Sequence, residues 1–133
     1  METLRVKTGR RTQLVDVTSA VERAVKGSGV VSGVCYVYVP HTTAGVAINE
    51  HADPAVATDL EGVFDRLVPH SGPYRHSEGN TDSHAKAVMV GASQVIFVEQ
   101  GKLLLGRWQG IFLCEFDGPR ERRMFVRVEG EKS

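Results

Sequence analysis

The chain has 133 residues, which is the length of one domain and leaves little room for a second. Hydrophobic residues make up 41% and charged residues 24%, so a largely disordered chain is excluded. Lys plus Arg and Asp plus Glu each total 16, and a formal net charge of zero argues against coating DNA or a membrane by bulk charge.

Residues 3–7 alternate polar and apolar and predict a strand, and 13–17 predict another. Ser19 and Glu22 form a capping-box pattern, with Val21, Ala24 and Val25 at helical spacing and Gly27 as a stop, predicting a helix over 19–26. Residues 30–39 are rich in Val and Tyr with apolar groups on both faces, which predicts a central strand ended by Pro40. A short strand is expected at 45–49. Asp53 as N-cap and Pro54 at the first helical position open a helix over 54–67, in which Val56, Leu60, Val63, Phe64 and Leu67 follow 3.6-residue spacing. Residues 68–82 are dense in Pro, Gly, Ser, His and Asn and read as a long loop, a feature usually functional in a compact domain. A third helix is expected over 83–90, capped by Asp82 or Ser83 and stopped by Gly91. Four strands follow at 94–99, 102–106, 110–116 and 123–129, with Gln100 and Gly101 as a tight hairpin. The expected fold class is α+β, a single domain over 1–133 with a mostly antiparallel sheet and two to three helices.

Cys35 and Cys114 sit in apolar runs and read as buried thiols in strands. No Cys-x-x-Cys pair supplies a thiolate zinc site. The opening residues lack the apolar core of a signal peptide, and no apolar stretch approaches the ~20 residues of a membrane span. The expectation is a soluble cytoplasmic protein with no membrane or nucleic-acid partner.

All five histidines, His41, His51, His70, His76 and His84, fall between 41 and 84, each in or beside a predicted loop or helix end. The segment from His76 to Lys86 holds two imidazoles, two carboxylates, a carboxamide and an ammonium, none of which a core requires. Two histidines with carboxylates suit zinc. The carboxylates equally suit Mg²⁺ bound through oxygen, and a helix start here favours anions. A second segment, Pro40 to Gly45, delivers His41 and two threonine hydroxyls to the end of a central strand, where the imidazole is able to ligate a metal or move a proton. In a third, Gly106 and Gly110 flank Trp108, read as core or interface, and Arg120 follows in a turn with the geometry to reach phosphate.

Taken in order, His41-Thr42-Thr43-Ala44, Asn49-Glu50, the run His76-x-Glu78-Gly79-Asn80-x-Asp82-x-His84-x-Lys86, the Gly101 to Ile111 segment and Glu115-x-Asp117-Gly118-Pro119-Arg120 resemble the YjbQ-like family over almost the whole chain. The resemblance implies a small α+β domain that assembles as a homotrimer, in a family named for an accessory thiamine-phosphate synthase activity. It places a site at His41, Thr42, Asn49, Glu50, His76, Glu78, Asn80, Asp82, His84, Lys86 and Arg120. On that footing His76, His84 and His41 are the first-choice ligands of a divalent metal, zinc or magnesium, with Asp82 and Glu78 as oxygen ligands or orienting groups. Lys86 and Arg120 hold the phosphate or pyrophosphate of a small phosphorylated metabolite. Glu50 or His41 transfers the proton, while Thr42, Asn49 and Asn80 complete the substrate contacts. The activity implied joins a pyrimidine pyrophosphate to a thiazole phosphate and expels pyrophosphate. Two other readings use the same groups: a metal-dependent hydrolase of a small phosphate ester, and a binding module without turnover.

Overall fold

The computed structural model describes residues 1–76 and 78–133; Ser77, inside the predicted loop and the His76 to Lys86 segment, lies outside them. The elements run β1 (Glu2–Lys7), β2 (Gln13–Asp16), α1 (Thr18–Ser28), β3 (Val30–Tyr38), β4 (Ala44–Glu50), α2 (Pro54–Leu67), α3 (Thr81–Val90), β5 (Ser93–Glu99), β6 (Lys102–Leu103), β7 (Gln109–Glu115) and β8 (Glu121–Lys132). The α+β class holds, and every strand pairing is antiparallel. The single expected sheet is in fact two. One has five strands in the order β1-β8-β3-β5-β6, and the other has three in the order β2-β7-β4.

The composition of β7 explains the split. Its residues alternate between two cores, as a strand's period of two requires. Ile111 and Leu113 enter the main core between the two sheets, with Val46 from β4, Val37 from β3 and Val21 and Val25 from α1. Phe112 and Cys114 point the other way and pack, with Phe116, against Ala57 and Phe64 of α2 and Ala87 of α3. A strand covered on both faces reads as a continuous apolar run, which is how the sequence presents it.

Strand β3 is central as expected, hydrogen-bonded to β8 on one side and β5 on the other. Only one of its faces is buried. Cys35 and Val37 point inward, while Tyr36 and Tyr38 stand 41% and 50% exposed on the open side of the five-stranded sheet. The register sets Tyr36 beside Val95 and Val34 beside Phe97, so the open face is apolar.

The helix ends correct three expectations. The box of Ser19 and Glu22 does not cap α1; the carboxylate of Asp16 does that work, accepting from the Thr18 amide at 2.9 Å and its hydroxyl at 2.6 Å. The stop is Gly29, whose φ of 73° is the left-handed conformation glycine adopts without penalty, and Gly27 stays helical. Helix α3 begins two residues early, at Thr81, so Asp82 and Ser83 lie within it, buried, and do not cap it. Helix α2 starts as predicted, with Asp53 accepting from the Ala55 amide at 2.9 Å. Its apolar stripe is buried only in part: Ala57 and Phe64 pack on the second core, while Val63 and Leu67 are exposed.

Both cysteines are buried in strands, and burial pushes the thiols up to about 11 for Cys35 and about 12 for Cys114. Trp108 is not core. It stands 53% exposed in the β6–β7 connection, with the Arg107 guanidinium 4.7 Å from its ring centroid. Gly106 lies outside any strand, because β6 ends at Leu103. Among the described residues no helix is long and apolar enough to cross a membrane.

Candidate functional site

Proline 40 ends β3, and the chain turns through His41 and Thr42 into β4, which α3 packs beside. The turn and helix enclose a groove of about 410 Å³ lined by His41, Thr42, Ala44, His84, Ala87 and Gly91 among others. The His76 ring meets that of His84 edge-on, centroids 5.3 Å apart. The structure therefore brings together His41, Thr42, His76 and His84 from separate sequence segments. Nε2 of His41 accepts the backbone N–H of Arg123 at 2.9 Å. Partial burial and the positive charges of Arg122, Arg123 and Arg120 hold the His41 imidazole below its ordinary pKa, against an opposing pull from Glu115.

Behind His41 lies a buried ion pair that the sequence reading did not single out. Arg122 grips both carboxylate oxygens of Glu115 and donates to the carbonyl and hydroxyl of Thr43, at 3.2 and 2.7 Å. Glu115 also accepts from the Thr8 hydroxyl at 2.8 Å and the Asp117 amide at 2.9 Å. Burial pushes the Glu115 carboxyl up, but these donors, Arg122 foremost, outweigh it and hold it below the usual range. The pair fixes Thr43, two residues from His41. A sequence signal did exist: a carboxylate inside the apolar run of β7 demands a buried partner.

A second network surrounds Asp82 on α3. Its fully buried carboxylate receives Arg11 at 3.1 Å and Lys86 at 3.4 Å, and Nδ1 of His70 stands 3.0 Å away. That same Nδ1 is 2.8 Å from Arg11, so it either donates to Asp82 or accepts from Arg11, and the His70 tautomer decides which. Burial pushes the Asp82 carboxyl up, and His70, Arg11 and Lys86 together bring it below the usual range. Arg11 reaches on to Asp117 at 3.2 Å, which also accepts from Asn80 at 2.9 Å and Arg120 at 3.2 Å. Arg11 was missed, and His70 and Asp117, though noted in the histidine cluster and the Glu115 to Arg120 motif, were not assigned to the site, because the three come from three loops with no pattern linking them.

Two expectations change in consequence. Lys86 does not reach an open groove. It is 1% exposed, with its ammonium 2.9 Å from Asp65 as well as beside Asp82. Its charge is already spent on two carboxylates, so within one chain it does not present itself to phosphate. Glu50 and Asn49 do not join His41. They sit at the far end of β4, five and six residues along from Ala44 at about 3.3 Å each, roughly 17–20 Å away. There the Asn49 side chain accepts from the Glu50 amide at 2.7 Å, and Glu50 lines a separate pocket of about 240 Å³ with Asp16 and His51, themselves paired at 2.9 Å. Glu78 is exposed in the loop, 3.8 Å from His76. Arg120 is half-exposed beside Asp117.

The expected metal ligands do not fit an ion within one chain. The lone pair of His41 Nε2 is taken by Arg123, and the oxygens of Asp82 face Arg11, His70 and Lys86. His76 and His84 remain, and among the described residues no group of three or more His, Cys, Asp or Glu is placed to hold a metal.

A family model described as UPF0047 protein YjbQ-like matches residues 2–131. The chain is 48% identical over 127 residues to a UPF0047 protein of Methanocaldococcus jannaschii, covering 96% of this chain and 92% of that protein. It is 47% identical to the UPF0047 protein YugU of Bacillus subtilis, over 98% of this chain and 99% of the other. Among solved structures it is similar to an uncharacterized conserved YjbQ/UPF0047 protein from Clostridium acetobutylicum, with a TM-score of 0.95, 47% identity and coverage of 97% and 100%. A YbjQ-like protein of unknown function from Sulfolobus solfataricus gives a TM-score of 0.94 at 38% identity, with coverage of 98% and 96%.

Proposed function

The chain belongs to the UPF0047, YjbQ-like family, and from that premise we propose that it is a small trimeric enzyme of the thiamine-phosphate synthase type, working in the groove between His41 and His84. It joins a pyrimidine pyrophosphate to a thiazole phosphate and releases pyrophosphate. The observation that carries the reading is the groove itself, lined by His41 and His84 from different segments, with the charges of three arginines acting on His41. Departure of pyrophosphate needs donors and positive charge where negative charge gathers. Arg123, whose charge is felt at His41, makes no ion pair among the described residues, whereas Arg120 is paired with Asp117 at the half-exposed rim and Arg122 and Lys86 are committed to buried carboxylates. Asp82 and Glu115 serve as anchors that hold His84's helix and the His41 turn.

The homotrimer is supported by the open face of the five-stranded sheet. Tyr36, Tyr38, Val95 and Phe97 form an apolar surface that a single chain leaves in water. A closed ring of copies covers such a face without leaving an unpaired edge. It also offers the Glu50 pocket of one subunit a route to the histidine groove of another.

The test is direct. Purified protein is given both precursors, and thiamine phosphate and pyrophosphate are followed by chromatography. Formation of both in equal amounts, lost in His84→Ala, supports the reading. No product above a protein-free control, or full product from His84→Ala, removes it. Orthophosphate released from either precursor without joining points to the hydrolase reading.

A further inference from the structure

We infer that the groove is a phosphate subsite in which His41 acts as a neutral N–H donor to a phosphate oxygen rather than as a metal ligand or a base. The inference rests on the groove being the place where substrate binds, and it assigns the part of the substrate that His41 meets.

One hydrogen bond fixes the tautomer of His41. A backbone amide only donates, and the Arg123 amide points at Nε2 of His41 from 2.9 Å. Nε2 must therefore offer a lone pair and carry no hydrogen. A neutral imidazole has one proton, which then resides on Nδ1. Protonating Nε2 as well would set two N–H groups against each other. A metal ligand or a general base needs a free lone pair, and this ring has none left. What it keeps for the groove is a single N–H.

The surroundings suit an anion. Thr42 and His84 line the groove with His41, and Ala44, Ala87 and Gly91 leave room beside them. Arg123 makes no ion pair among the described residues, and its guanidinium rests 5.7 Å from the Phe125 ring centroid. Its charge is therefore not cancelled locally. The turn is held from behind, since Arg122 fixes both the carbonyl and the hydroxyl of Thr43. A donor held in place before the ligand arrives is what binding a phosphate oxygen requires. A similar use of histidine is known where a neutral imidazole polarises a substrate oxygen.

The test uses the whole protein with ¹⁵N-labelled histidine. At neutral pH the His41 ring should show its proton on Nδ1. Titration with inorganic phosphate, then pyrophosphate, should shift the His41 and His84 signals and leave His51 in place. Zinc should not move the His41 nitrogens. His41→Ala should raise the phosphate dissociation constant about tenfold, the value of one hydrogen bond to a charged group. His41→Gln, which keeps an N–H donor but neither titrates nor ligates as imidazole does, should stay within about threefold of wild type. A proton on Nε2, zinc bound at His41, no response to phosphate, or equal loss in the Gln and Ala variants overturns the inference. The tautomer is read on the wild type, so a variant that fails to fold leaves the question answerable. Phosphate binding as described without joining of the two precursors would remove the synthase reading alone.

Discussion

At the scale of single residues, the largest consequences come from buried charges. Arg122 and Glu115 are both at most 2% exposed, and each satisfies the other. Arg122→Ala should strand the Glu115 carboxylate in the core and cost about 3–5 kcal/mol, measured by denaturant unfolding. The pH dependence has a definite sign. Glu115 has its folded value lowered from 4.5, so its contribution to stability is complete above about 4.5 and is lost as pH falls through the lowered value. Asp82 acts the same way from 3.8 downward. Unfolding midpoints measured from pH 7 to pH 3 should fall chiefly below about 4.5 in wild type, and Glu115→Gln should flatten that slope. Gly110 is a residue of the other kind. A Cβ there would lie 2.4 Å from the His51 ring, so Gly110→Ala must displace His51 from Asp16, and the expected cost is about 1–3 kcal/mol.

At the scale of elements, the helix starts separate local pattern from tertiary choice. Three helix starts carried N-cap signals, and only that of α2 is used as the signal indicated. Asp53 caps α2, whereas Ser19 caps nothing, because the Asp16 side chain already occupies the start of α1. Asp53→Ala should therefore lower stability by about 1 kcal/mol, while Ser19→Ala should change it by less than about 0.5 kcal/mol, both read from thermal unfolding. A competing acceptor explains the difference. Asp16 is also held by His51 from the end of β4, a contact between residues 35 apart that no local motif contains. The same logic governs α3. Its residues Asp82 and Ser83 look like caps, yet they are drawn inward by Arg11 and the Phe116 carbonyl.

At the scale of the whole molecule, the open face of the five-stranded sheet is the dominant feature. In the proposed trimer this face is the contact between copies, and Phe97→Asp should then shift the protein in light scattering from three chains toward one, since Phe97 is 62% exposed and its loss leaves the core intact. A variant that remains trimeric would place the contact elsewhere. The sequence by itself determined the α+β class, the positions of nearly all strands and helices, the buried cysteines and the family resemblance that its motifs carried. Periodicity, caps and turn residues act over a few positions, and those are legible one after another. Polar groups that no core needs stand out in any context, so the segments of His41 and of His76 to Lys86 were legible separately; only the family resemblance joined them, and it joined Glu50 and Lys86 to them as well. What only the tertiary structure decided is how charges are spent. Lys86 looked like a phosphate ligand and is a buried counterion to Asp65 and Asp82. Glu50 looked like a partner of His41 and lies at the other end of the strand. His41 looked like a metal ligand until the Arg123 amide, 82 residues away, took its lone pair. Hydrogen-bond partners of this kind are fixed by strand register and by loops brought together in folding, and neither spacing nor composition records them.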